Sequence, residues 1–156
     1  MSIRNTDISN GATGPSEALE IATFFIGEAC YGIDILAVQE IIRVTTITPV
    51  SLTPDYVEGV LNLRGQIITI IDLATRVELP SASEPSRGHI IVVSHENEFL
   101  GLKVDRIGDV LSASWDCVEA PPVNLRGIHR RYLKGVLKIK NRLVEILDLP
   151  AVLTAS

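Results

Sequence analysis

Apolar residues along this chain come in short runs that mostly alternate with polar ones and are broken by Gly, Asn, Asp or Pro. A period of two places every second side chain on one face, so the pattern predicts half-buried β-strands separated by tight turns. Ten candidates emerge: Leu19 to Gly27, Ala29 to Asp34, Val38 to Val44, Gly59 to Leu63 and Gln66 to Ile71, then His89 to Ser94, Glu98 to Val104, Ile107 to Leu111, Lys134 to Lys140 and Arg142 to Leu147. Only DILAVQEIIR is ambiguous, because Ile35, Val38, Ile41 and Ile42 also fit a helical stripe.

The pattern occurs twice. GVLNLRGQIITIIDL, Gly59 to Leu73, returns without a gap as GVLKIKNRLVEILDL, Gly135 to Leu149, and YGIDILAVQEII, Tyr31 to Ile42, aligns with LGLKVDRIGDVL, Leu100 to Leu111. The offsets are 76 and 69 residues, so one architecture is used twice in the same order. Glu40 falls opposite Asp109, and the turn Arg64-Gly65 falls opposite Lys140-Asn141. Gly65 and Asn141 are expected to supply the left-handed backbone of two hairpin tips. Asp72 and Asp148 follow the outgoing strands, where each could cap a short helix, and Pro150 suits the first turn of the second.

Five strands per copy suggest two small barrels, about 18–80 and 88–147, joined by a Pro- and Ser-bearing linker over 78–88 and followed by a C-terminal helix over 148–154. The first 17 residues, polar and turn-forming, read as a flexible tail without the apolar stretch of a signal peptide. With 156 residues, 46% of them hydrophobic, the chain can build a core, but half of it alone would be marginal, so the halves should pack together. A net charge of −5 disfavours nucleic acid or an anionic membrane as main partner and points to proteins. No apolar run approaches a bilayer span, and a cytoplasmic location is expected.

Catalytic chemistry is absent from the pattern. The sequence has no phosphate loop, dinucleotide fingerprint, nucleophile elbow or H-E-x-x-H. Asp72 and Asp148 recur at one repeat position, as structural caps would, and His89, His95 and His129 share no ligand spacing with one another or with Cys30 and Cys117. Both cysteines read as buried free thiols. No cofactor, metal or catalytic residue is expected.

The segments YGIDILAVQEIIR, TPDYVEGVLNLRGQIITIIDL, GLKVDRIGDVL and YLKGVLKIKNRLVEILDL, in this order, resemble the CheW family of bacterial chemotaxis coupling proteins. The resemblance covers nearly all of the chain after the tail. It implies a mostly β fold, two tandem five-stranded SH3-like barrels forming a CheW-like domain. It also implies a non-enzymatic adaptor between the cytoplasmic tips of chemoreceptors and the regulatory domain of the histidine kinase CheA, in arrays at the membrane. The chain has the length of the stand-alone form. An adaptor of another chemosensory pathway, such as twitching motility, would use the same fold, and a small hydrolase is the enzymatic rival.

The resemblance singles out Val38, Glu40, Gly59, Asn62, Leu63 and Arg64 for receptor or kinase contact, with Gly101 and Val104 as weaker kinase-contact candidates. It also implies that a receptor tip docks in a groove between the barrels that includes Val38. Arg64 flanks a hairpin-tip glycine, and its guanidinium can fork onto a carboxylate. Glu40 would either form an internal salt bridge with Arg64 or meet a partner alongside it. Gly59, repeated at Gly135, also reads as a glycine permitting close backbone approach. Thr69 stands where the family often has proline, and Arg126, His129, Arg130, Arg131 and Lys134 form a basic cluster that is either a solvated loop or a partner contact.

Overall fold

The computed structural model describes residues 18–79, 88–121 and 130–154. Ten strands run in chain order: β1 (Ala18–Ile26), β2 (Ala29–Asp34), β3 (Val38–Arg43), β4 (Val57–Leu63), β5 (Gln66–Asp72), β6 (His89–His95), β7 (Glu98–Val104), β8 (Arg106–Ser114), β9 (Leu133–Ile139) and β10 (Arg142–Leu147). Two short helices, α1 (Leu73–Arg76) and α2 (Leu149–Leu153), follow β5 and β10. The strands agree with the sequence pattern to within a few residues. DILAVQEIIR resolves as a 3-10 turn over Ile35–Ala37 leading into β3, whose burial alternates with period two. The flexible tail and most of the expected linker, together with Arg126 and His129, lie outside the described residues.

The strands form two five-stranded sheets, ordered β8-β1-β2-β10-β9 and β3-β6-β7-β5-β4. The barrels therefore do not follow the sequence halves 18–80 and 88–147. Each sheet takes its central hairpin from one copy of the repeat and its other three strands from the other copy. The turn Ile35–Ala37 carries the chain out of the β1–β2 hairpin, and β3 pairs with β6 in the other sheet. Asp105 alone separates β7 from β8, which pairs with β1, so the chain returns in the same way. We call these sheets barrel I (β1, β2, β8, β9, β10) and barrel II (β3 to β7).

Each sheet curls until its ends meet. In barrel II, Thr48 and Val60 exchange backbone hydrogen bonds of 2.9 and 2.8 Å, joining the chain beyond β3 to β4. In barrel I, Glu119 and Val136 do the same, with bonds of 2.9 and 2.8 Å between the chain beyond β8 and β9. Joining the ends leaves less unpaired edge backbone.

β1 and β6 explain why the halves cannot part. Leu19 and Ile21 point into barrel I, whereas Ala22, Phe24 and Ile26 point toward barrel II. Ile90 and Val92 point into barrel II, whereas Ile91 and Val93 point back toward barrel I. Strands buried on both faces read as continuous apolar runs, as FFI and IIVV do. Among the described residues, the layer between the sheets holds 18 buried hydrophobics, against 8 in barrel I and 5 in barrel II. Burial of apolar area drives folding, so the largest share of that drive lies between the sheets.

The helix ends differ. Asp148 caps α2, accepting a bond from Ala151 N at 3.3 Å, with Pro150 in the first turn. Asp72 makes no such cap and instead accepts from Thr75 Oγ1 at 2.7 Å. Arg76 at the end of α1 is buried. Its Nε donates to Val152 O at 2.7 Å, Nη2 to Thr154 O at 2.6 Å and Nη1 to Tyr132 Oη at 3.1 Å, while the guanidinium lies over the rings of Tyr56 and Tyr132. It pins the C-terminal segment of the second copy to the first.

Candidate partner-binding site

The hairpin between β4 and β5 turns at Arg64-Gly65, both with positive φ (52° and 84°), as a right-twisted two-residue hairpin requires. Asn62 fixes the tip by accepting a bond from Gly65 N at 2.9 Å. In the second copy Lys140 takes the left-handed backbone (φ 53°), whereas Asn141 is not among the positive-φ residues, contrary to the expectation from its side chain.

The turn aims Arg64 across the end of barrel II at β3. Its Nη1 and Nη2 donate to the two oxygens of Glu40, at 3.3 and 2.5 Å, so the internal salt bridge forms and is bidentate. Because β3 and β4 are the outer strands of this sheet, the pair spans its two ends. Arg64 is 67% exposed and Glu40 31%, so water screens the pair and its share of stability is below about 1 kcal/mol. The guanidinium is thus fixed in direction yet open on its outer side.

A register shift between Val38 and Glu40 inserts Gln39 as a bulge, and bulges re-aim neighbouring side chains. Val38 packs half-buried against the layer between the sheets, while Glu40 reaches Arg64. A cavity of about 220 Å³ at the seam is lined from both barrels, by Asp34, Ala37, Ser94, His95, Trp115 and Lys134 among others, and Val38, expected in such a groove, is not part of its lining. Leu63 is partly buried against the barrel II core. The sequence reading missed Ile67, opposite Asn62 and 61% exposed, because its place in an apolar strand disguised it as core.

Three candidates prove to be interior. Gly59 is buried with φ 150°, and a β-carbon there would overlap the backbone carbonyl of Thr48, which confirms its role in close approach. Gly101 is buried where a β-carbon would come within 2.6 Å of Ile70 Cδ1 and 2.7 Å of Ile90 Cγ2. Val104 is buried in the layer between the sheets. Gly59, Gly101 and Val104 are therefore corrected from partner contacts to packing positions, since the fold itself covers all three.

The other end of the molecule carries the related site. Asp109 and Lys140 occupy the repeat positions of Glu40 and Arg64, and both line a cavity of about 400 Å³ whose floor includes Cys30, Leu111 and Val144. Phe99 of barrel II stands at the repeat position of Cys30. Burial pushes the Cys30 thiol up, with Arg142 opposing, so it is no activated nucleophile. Cys117 is free but exposed, which corrects its expected burial. Of the basic cluster, Arg131 meets Glu78 at 3.4 Å, Arg130 donates to Pro121 O at 3.4 Å and Lys134 lies over Trp115. Among the described residues no group of three or more His, Cys, Asp or Glu could hold a metal, and no helix is long and apolar enough to cross a membrane.

Two reciprocally exchanged five-stranded barrels, with a bidentate ion pair fixed at one end, define a CheW-like domain, and the model of that domain matches residues 20–156. The chain belongs to the CheW family of chemotaxis scaffolding and coupling proteins, which are non-enzymatic adaptors. It is 37% identical over 137 residues to the chemotaxis protein CheW of Treponema pallidum (strain Nichols), covering 85% of this chain and 81% of that one. Identity to the chemotaxis protein CheW of Klebsiella aerogenes is 32% over 142 residues, covering 91% and 86%. The crystal structure of the scaffolding protein TtCheW from Thermoanaerobacter tengcongensis superposes with a TM-score of 0.81 at 28% identity, covering 95% of each chain.

Proposed function

We propose that this chain couples the cytoplasmic tips of methyl-accepting chemoreceptors to the regulatory domain of the histidine kinase CheA, working in the cytoplasm at membrane-associated arrays. The observation that carries this reading is the Arg64–Glu40 pair on an exposed hairpin tip. A bidentate surface pair adds little to stability, so its held geometry favours a recognition role, in which an oriented guanidinium meets a partner's carboxylate or backbone carbonyl. The cavity lined by Ala37 and Trp115 supports docking of a receptor helix at the seam of the barrels, with the apolar face of the helix inward. Aromatic residues make up only 4% of the chain, so large aromatic anchors are few and arrays would add strength through multivalency.

The test is CheA autophosphorylation with receptor signalling fragments from the same organism, with and without this protein, comparing the wild type with Arg64→Glu. Receptor-dependent activation that requires the wild-type chain and fails with a folded Arg64→Glu variant is expected. Unchanged kinase activity with wild-type protein would overturn the coupling role for that pair and point to a different chemosensory pathway.

A further inference from the structure

β2 and β10 meet along a short parallel seam of three pairs, Val144 with Cys30, Glu145 with Tyr31 and Ile146 with Gly32. Along this seam the N-terminal hairpin joins the C-terminal strands of barrel I. Glu145 is its middle residue, only 8% exposed, and its Oε1 is buried without a hydrogen-bond partner. From β2 it lies opposite Tyr31 and from β9 opposite the apolar Val136, while Cys30, the preceding residue of β2, turns its thiol into barrel I. Of the cations on these strands, Lys138 shares the face of Val136 but is exposed to solvent, Lys134 is exposed over Trp115, and Arg142 lies over Phe25. Among the described residues no salt bridge reaches the Glu145 carboxyl.

A buried carboxylate without a compensating partner is costly, whereas the neutral acid is far less so. Burial accordingly pushes the Glu145 carboxyl up to about 7 and, with the Glu145 charge as a lesser cause, pushes the Tyr31 phenol up as well. The repeat position in barrel II, where the parallel partner is Leu100, holds neutral Thr69, so this architecture does not need an acid there.

We propose that Glu145 makes the β2–β10 seam a pH-responsive joint, closed over the neutral acid and loosened when the acid ionises. β2 runs through Ile35–Ala37 directly into β3, so the joint lies one short turn from Val38 and Glu40. The raised affinity for the proton in the folded state gives a stabilisation that is complete below the ordinary carboxylate range, at about pH 4.5, and is lost as pH rises through about 7.

The experiment compares the unfolding equilibrium of the full chain with that of Glu145→Gln from pH 5 to 8.5, so that titrations common to both cancel in the ratio. The unfolding constant of the wild type relative to the variant should rise by up to about tenfold per pH unit between about pH 5 and 7 and level off by about pH 8. Hydrogen-exchange protection at Gly32 and Ile146, corrected for intrinsic rate, should fall between about pH 5 and 7 and level off by about pH 8, in the wild type alone. A pH-independent ratio would overturn the proposal. Should Glu145→Gln fail to fold, a carbon-13 titration of the wild-type Glu145 carboxyl decides: a midpoint near 7 supports the joint, and one in the ordinary carboxylate range removes it.

Discussion

The backbone carbonyl of Thr48 fills the space that a β-carbon on Gly59 would occupy, at the crossing where the chain beyond β3 closes onto β4. Gly135 holds the same post in barrel I, where a β-carbon would come within 2.5 Å of Val118 Cγ1 and 2.7 Å of Glu119 O. Gly59→Ala should therefore destabilise by about 2 to 4 kcal/mol, combining overpacking with a strained φ. Gly135→Ala should also destabilise, through overpacking alone. Urea unfolding of each variant measures the loss, and a Gly59→Ala midpoint equal to that of the wild type would contradict the crossing.

Reversing Arg64 separates recognition from folding. Arg64→Glu should keep the cooperative thermal transition, with a stability change below about 1 kcal/mol, because the pair is exposed. The double variant Glu40→Arg with Arg64→Glu restores an ion pair in reversed order. If the arginine meets the partner, kinase control stays lost in the double variant; if the pair only orients the hairpin, control returns.

Arg76 should be far less tolerant. Its guanidinium makes three hydrogen bonds that tie Val152, Thr154 and Tyr132 together between two tyrosine rings. Arg76→Ala leaves the buried carbonyl of Val152 without this donor and should cost about 3 to 5 kcal/mol. Thermal unfolding reports the loss, and earlier proteolysis of the C-terminal segment would localise it.

Ile67 and Ile70 lie three residues apart on β5 and should differ sharply. Ile70 is fully buried in barrel II, so Ile70→Ala should cost about 2 to 5 kcal/mol. Ile67 is 61% exposed, so Ile67→Ala should stay within about 0.5 kcal/mol of the wild type. Chemical denaturation of both separates them, and a partner-binding defect in Ile67→Ala would then belong to the surface.

Strands were legible because period two is a local signal, written in Leu-Glu-Ile and Leu-Lys-Ile alternations that need no knowledge of distant contacts. The exchange of hairpins was not legible. A repeat in sequence shows that two copies are equivalent, but which copy's hairpin enters which sheet depends on the connector Ile35–Ala37, whose turn the pattern could not tell from a helix. At the candidate site, the pairing of Glu40 with Arg64 was legible from charge and turn chemistry. Gly101 and Val104 failed because a resemblance carries over positions without showing burial, and both faces of β7 are covered here, by Ile70 and Ile90 at Gly101 and by the layer between the sheets at Val104. Asp72 misled for a related reason: its side chain had a nearer hydroxyl, on Thr75, than the helix amides it was expected to cap.

The reciprocal hairpins have a consequence for how such a molecule diversifies. A chain of half this length, paired with its own duplicate about a two-fold axis, could close both barrels, but its two ends would stay identical. Fusion into one polypeptide releases that symmetry. Arg64 and Glu40 in barrel II, and Lys140 and Asp109 in barrel I, can then mutate independently, so the two poles of a single small molecule can come to differ without a second fold.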